Sequence, residues 1–223
     1  MRSLKIKRLT TLSILSAIAL ILATFIRIPI FPAAPFLNLD PKDVVIVIGG
    51  FLYGPLAAMA MSIVVAALEL PISGTGIYGA IMNALSSCVF ACSAAIIYKK
   101  RRTIMGAVIG LVTGFLITVP FMLLWNYFIV PFYMFPPGQA AMGRSIVAGM
   151  LIPVFLPFNL IKYSMSSAIT LLIYKPISIA LIKSKMLPDE SDDEKKPVRV
   201  YIGVLLAAFI VIITCILCIT LIL

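Results

Sequence analysis

The chain has 223 residues, of which 62% are hydrophobic and 12% charged, with a mean hydropathy of +1.16. A soluble domain runs about half apolar and about a quarter charged, so a water-soluble globule is excluded. The net charge of +10 is spread over separate polar segments and belongs to membrane topology and anionic lipid, not to nucleic-acid binding. Histidine is absent and carboxylates number only eight, which argues against a metal or acid–base enzyme. The apolar residues come in long blocks without strand-type alternation, which points to helices and not a membrane barrel.

In chain order, Arg2, Lys5, Lys7 and Arg8 precede an apolar run over 9–28. The run is too long for a signal-peptide core and no small-residue cleavage site follows, so it reads as a retained first helix with a cytoplasmic N-terminus. Segment 29–43 carries Pro29, Pro32, Pro35 and Pro41 and reads as a structured loop. It closes on a helix start, with Asp40 as N-cap, Pro41 at N1 and Asp43 at N3. The apolar block 44–70 fits one long helix or two elements broken at Gly54-Pro55. Only two elements keep Lys99, Lys100, Arg101 and Arg102 on the cytoplasmic side, so a short second helix (43–53) and a third (56–70) are expected.

A fourth helix is expected over 76–98 and a fifth over 103–129. An outer loop follows at 131–143, and then a partial or re-entrant segment at 145–152, because Pro153 and Pro157 interrupt the pattern. The sixth helix is placed at 158–182. A polar cytoplasmic linker, 183–199, holds the acidic run 189–194. The final apolar stretch, 200–223, exceeds the ~20 residues needed to span a bilayer. The expected fold class is therefore an all-α polytopic membrane protein. It has a six-helix core (1–182) with a short second helix, the linker, and an additional C-terminal transmembrane helix. On this map Arg27, Lys42 and Arg144 lie outside and Lys162 lies within the membrane.

No G-x-x-x-x-G-K-[ST] loop is present, so energy for uphill transport must come from a partner. Asp40 and Asp43 read as caps, Glu69 falls at the outer end of the third helix, and no carboxylate relay inside the membrane is legible. Cys88, Cys92, Cys215 and Cys218 fall within helices and read as small packing residues. What remains polar in the outer half of the membrane is Lys162, Asn159 one turn before it, Asn126, Asn83, Thr75 and Tyr78. These lie below the loop that carries Phe36 and Leu37, and together they read as a solute pocket open to the outside. Asparagine also glues helices and lysine snorkels, so any one of these residues has a bland reading. The combination of Asn126, Asn159 and Lys162 favours a ligand. Trp125, Tyr127 and Tyr163 offer aromatic walls or membrane-interface anchors. Helix one carries Ser13-x-x-x-Ala17 and Ala19-x-x-x-Ala23, spacings that admit a neighbouring helix.

Three stretches carry a resemblance: FLNLDPKDVVIVIGGFLYGPLAA (36–58), TGIYGAIMNALSSCVFACSAAIIYKKRR (75–102), and WNY (125–127) followed by PFNLIKY (157–163). Over roughly 9–182 the chain resembles the substrate-binding S components of energy-coupling factor (ECF) vitamin transporters, of the riboflavin-binding type. The resemblance implies a six-helix core in a bacterial cytoplasmic membrane, with an outward-facing vitamin pocket capped by the first loop. It implies riboflavin as transported ligand with no cofactor, and partners comprising a transmembrane coupling protein and two cytoplasmic ATP-binding subunits. Asn126, Asn159 and Lys162 match the family's ligand positions. Ser13, Ala17, Ala19 and Ala23 become candidates for contact with the coupling protein, and toppling in the bilayer is the implied transport step. The chemistry agrees, because a neutral, flat, polyhydroxylated solute needs directed hydrogen bonds and few charges. The rival readings are an S component for another vitamin or small solute and, from a different class, a membrane enzyme or a structural membrane protein.

Overall fold

The computed structural model describes residues 2–31, 34, 36–74, 76–136 and 138–183. The linker from 184 onward and the expected helix 200–223 lie outside the described residues.

Helix α1 (Arg2–Phe25) begins within the basic N-terminal segment. It buries Leu15, Ala19 and Ala23 and exposes Ile14, Ile18 and Ile21, as expected of a helix with protein on one side and lipid on the other. The loop after it folds back as a two-residue antiparallel ribbon, β1 (Ile28–Pro29) and β2 (Asn38–Leu39), with Ile28 opposite Leu39 and Pro29 opposite Asn38. Helix α2 (Lys42–Tyr53) is joined to α3 (Pro55–Glu69) through Gly54 alone. Gly54 has φ +93°, a left-handed value that a side chain resists, and Pro55 supplies the preset first turn of α3.

A 3₁₀ turn (Leu70–Ile72) leads to α4 (Gly76–Lys100), then α5 (Ile104–Met134), whose first turn is capped by the Thr103 hydroxyl accepting from the Gly106 N–H at 3.1 Å. Helix α6 (Ala140–Met150), a π turn (Leu151–Phe155) and α7 (Leu156–Lys183) follow without a break. The described residues thus form six helical rods, the last spanning 140–183. Five segments are long and apolar enough to cross a membrane: Lys5–Phe25, Pro55–Ile72, Gly76–Lys100, Ile104–Phe132 and Ala141–Ile177. Helix α2, at ~1.5 Å per residue too short to span, is the central post. It is buried from Lys42 to Phe51 among α1, α3, α4 and α7.

Two expectations need correction. The fifth helix does not stop at 129 but continues to Met134 through Pro120 and Pro131, leaving a loop of only 135–139 in place of 131–143. The partial segment 145–152 and the sixth helix are one rod and not two elements. Proline removes one N–H, and in a membrane helix the freed carbonyl finds other partners or a local widening absorbs it. Here the widening is the π turn around Pro153, and Pro157 falls in the first turn of α7.

At the end of the bundle away from the first loop, packing is close. A Cβ on Gly110 would stand 2.6 Å from the Ala94 carbonyl oxygen, and one on Gly114 2.9 Å from that of Phe90, so α5 lies backbone-to-backbone on α4. Phe51 stacks on Tyr98 at 4.3 Å, Tyr174 meets both rings edge-on, and the Tyr98 and Tyr174 hydroxyls share a hydrogen bond.

Candidate ligand-binding site

A partly open pocket lies beneath the first loop. Helix α4 presents Gly79, Met82, Asn83 and Ser86 to it, a run of i, i+3, i+4 and i+7 positions forming one face. Helix α5 contributes Met122 and Asn126, one turn apart. Helix α7 contributes Phe158, Asn159, Lys162 and Tyr163, and the loop supplies Phe36, Leu37 and Asn38 as the roof. The polar members sit in an apolar cluster of Phe31, Leu37, Met82, Met122, Val154, Phe155 and Phe158.

The two buried asparagines are set alike. Asn126 Nδ2 donates to the Met122 carbonyl at 2.6 Å and Asn159 Nδ2 to the Phe155 carbonyl at 2.7 Å, each one turn back on its own helix. That bond fixes each amide. Asn126 Oδ1 is left buried with no hydrogen-bond partner among the described residues, an acceptor on a pocket-lining side chain that lacks a donor.

The positive charge of Lys162 is balanced by groups the sequence reading assigned elsewhere. Its Nζ lies 3.4 Å from Asp43 Oδ2 and 3.5 Å from Asp40 Oδ2. Lys42 Nζ lies 2.7 Å from Glu69 Oε2 and 3.8 Å from Asp40 Oδ2. Asn83 Nδ2 reaches Glu69 Oε2 at 3.5 Å, and the Ser87 hydroxyl donates to Asp43 Oδ1. All five charged side chains are at most 8% exposed. Asp40, Asp43 and Glu69 are therefore not solvated but belong to a buried charge cluster, with Glu69 at the end of α3 as expected, and Lys42 is not an exposed outer-loop charge. The helix cap itself is shifted by one, with Pro41 at the N-cap and the Asp40 carboxylate accepting the Lys42 N–H at 3.3 Å. Burial pushes the Asp40 carboxyl up, but the Lys162 and Lys42 ammonium groups beside it outweigh this and hold it below the usual carboxylate range.

Asn83, Asn126, Asn159, Lys162, Phe36 and Leu37 come together as expected, whereas Tyr78 does not. It precedes Gly79 by ~100° of helical rotation, falls off the pocket face, and is 42% exposed. Thr75 lies outside the described residues. Of the aromatic candidates Tyr163 lines the wall and Phe36 the roof, while Trp125 stacks on Phe121 and Tyr127 packs edge-on against Phe128. On α1, Ala19 and Ala23 are buried inside the bundle and are corrected to core positions; Ser13 and Ala17 are exposed. One signal pointed to the missed cluster: a lysine within the membrane needs a counter-charge, and outside the linker only Asp40, Asp43 and Glu69 are available.

Residues 7–174 match the family model for the substrate-specific component of ECF transporters. The chain belongs to this family. It is 31% identical over 173 residues to the riboflavin transporter RibU of Staphylococcus aureus, covering 77% of this chain and 90% of that protein. It is 31% identical over 164 residues to the riboflavin transporter FmnP of Bacillus subtilis, covering 71% and 85%. A solved structure described as the S component of a bacterial ECF transporter superposes with a TM-score of 0.66 at 32% identity, covering 79% of this chain and 98% of that one. The protein is thus a multi-pass membrane component of a transport system and not an enzyme.

Proposed function

We propose that this S component captures riboflavin in the pocket beneath its first loop, on the outer side of a bacterial cytoplasmic membrane. The observation that carries the reading is the unpaired Asn126 Oδ1 in the same pocket as the Lys162 ammonium and Asn159. The isoalloxazine ring presents along one edge an N–H donor between two carbonyl acceptors. A fixed amide oxygen suits the donor and an ammonium suits a flanking carbonyl. Phe36, Phe158 and Met82 offer apolar surface to the ring faces. The relatives named as riboflavin transporters support the same ligand. The basic N-terminal segment and the Lys99–Arg102 cluster favour a cytoplasmic N-terminus.

Delivery requires a partner, and a transmembrane coupling protein with two ATP-binding subunits is the composition proposed. Since Ser13 and Ala17 form the exposed part of the small-residue pattern on α1, Ala17→Trp is expected to abolish uptake in cells and leave ligand binding intact. Normal uptake by that variant removes the α1 assignment. The ligand itself is tested by the absorbance of the purified protein, where bound flavin gives bands near ~370 and ~450 nm set by its own ring. A protein that shows neither band and takes up no riboflavin when titrated contradicts the assignment.

A further inference from the structure

The two buried lysines are held differently. Lys42 Nζ sits 2.7 Å from Glu69 Oε2, the length of a full charge-assisted hydrogen bond. Lys162 Nζ sits between two carboxylates, 3.4 Å from Asp43 and 3.5 Å from Asp40, and close against neither. Asp43 is fixed from behind, because it belongs to α2 and its other oxygen accepts from Ser87 on α4. Asp40 is not part of a helix. It follows β2 directly, and the residues just before it, Phe36, Leu37 and Asn38, are the roof of the pocket. Lys162 is part of the wall. This ion pair therefore joins the first loop, otherwise held by a two-residue ribbon, by its buried side chains Phe31, Leu37 and Leu39 and by the contact of Asp40 with Lys42, to the wall of the pocket. Such a ribbon is marginal by itself, and apolar burial is not directional, so the ion pair is the contact that fixes the end of the loop against Lys162.

We propose that Asp40 is a positioning residue. Its ion pair with Lys162 latches the first loop onto the pocket, so that loop closure and placement of the ammonium are one event. The inference rests on the pocket reading above and deepens it. A neutral ligand accepting a hydrogen bond from Lys162 leaves the ammonium charged and still paired with Asp40. Ligand and loop then hold the same Nζ from two sides, and release of either loosens the other. Asp43 keeps the ammonium in register while the loop is open.

The test uses the full chain in detergent without ligand, reading amide hydrogen exchange over residues 36–40. In Asp40→Asn these amides are expected to exchange about tenfold faster than in wild type, with the interior of α4 unchanged. Loop amides as protected as in wild type overturn the latch. Should the single variant fail to fold, Asp40→Asn and Asp43→Asn with Lys162→Met removes the ammonium together with both carboxylates it faces and leaves Lys42 paired with Glu69. Its loop must be as fast-exchanging as predicted for the single variant, and wild-type protection again overturns the proposal. With riboflavin, Asp40→Asn is expected to dissociate about tenfold faster while association changes little. An unchanged dissociation rate contradicts it. If wild type binds no riboflavin, the ligand assignment falls, and the exchange comparison, made without ligand, still decides the latch.

Discussion

The two ends of this bundle are built on opposite rules. Away from the first loop, small residues let helices touch through their backbones, as at Gly110 on Ala94 and Gly114 on Phe90, and the aromatic trio Phe51, Tyr98 and Tyr174 fills what remains. At the loop end the packing residues are large and irregular, with Met82, Met122, Phe155 and Phe158 around a pocket whose wall adjoins five buried charges. The contrast teaches where a membrane protein can place a recognition site. Backbone-level contact leaves no room for a solute and no spare polar group. Long side chains leave a pocket, and charges placed there must compensate one another because neither lipid nor water does so. The first end holds the helices in register, and the second presents hydrogen-bonding groups at fixed positions.

That comparison can be broken at either end. The largest effect is expected from Lys42→Met, which strands Glu69 as a buried carboxylate and should cost about 3–5 kcal/mol. Thermal unfolding in detergent checks this, and Lys42→Met with Glu69→Gln should recover most of the loss. At the other end Gly110→Ala places a methyl against a backbone oxygen. It should cost about 1–3 kcal/mol as a fall in melting temperature, with ligand affinity per folded molecule unchanged. A weakened affinity there would blur the division between the two ends. Tyr174→Phe removes one hydroxyl–hydroxyl hydrogen bond and should cost about 1 kcal/mol by the same measurement.

The smallest expected effect is that of pH. The Asp40 carboxyl is held below the usual range, so its contribution is present above the ordinary aspartate value of ~3.9 and is lost only as pH falls through the lower folded value. Loop protection should therefore stay flat from about pH 8 to about pH 5 and fail only in stronger acid. A titration near neutrality would mean that another group controls the loop.

Much of this was legible in the residues. The short central helix, the turn at Gly54-Pro55 and the membrane-crossing rods follow from block length and the distribution of lysine and arginine. Asn83, Asn126, Asn159 and Lys162 stood out because a polar group is costly in an apolar helix. Proline was over-weighted. Pro131, Pro153 and Pro157 read as breaks, yet a bundle that supplies other partners lets helices run through them. Helical phase was under-weighted at Tyr78, one residue away from the pocket face. The ion cluster stayed hidden because Asp40 and Asp43 also suit a helix start, and local chemistry gives no distance between residue 43 and residue 162. On α1 the spacing identified small residues but not which side they face, so Ala19 and Ala23 were grouped with Ser13 and Ala17 although only the latter pair is exposed.

The central claim is that the loop-end pocket recognises riboflavin through groups such as the unpaired Asn126 amide oxygen. The most direct measurement is a calorimetric titration of riboflavin into purified wild type and Asn126→Ala side by side, with the melting temperature of each recorded. The account predicts saturable one-to-one binding by wild type, and affinity at least about tenfold weaker in the variant, as expected for losing one buried hydrogen bond, at a similar melting temperature. Equal affinities in two equally folded proteins would contradict it.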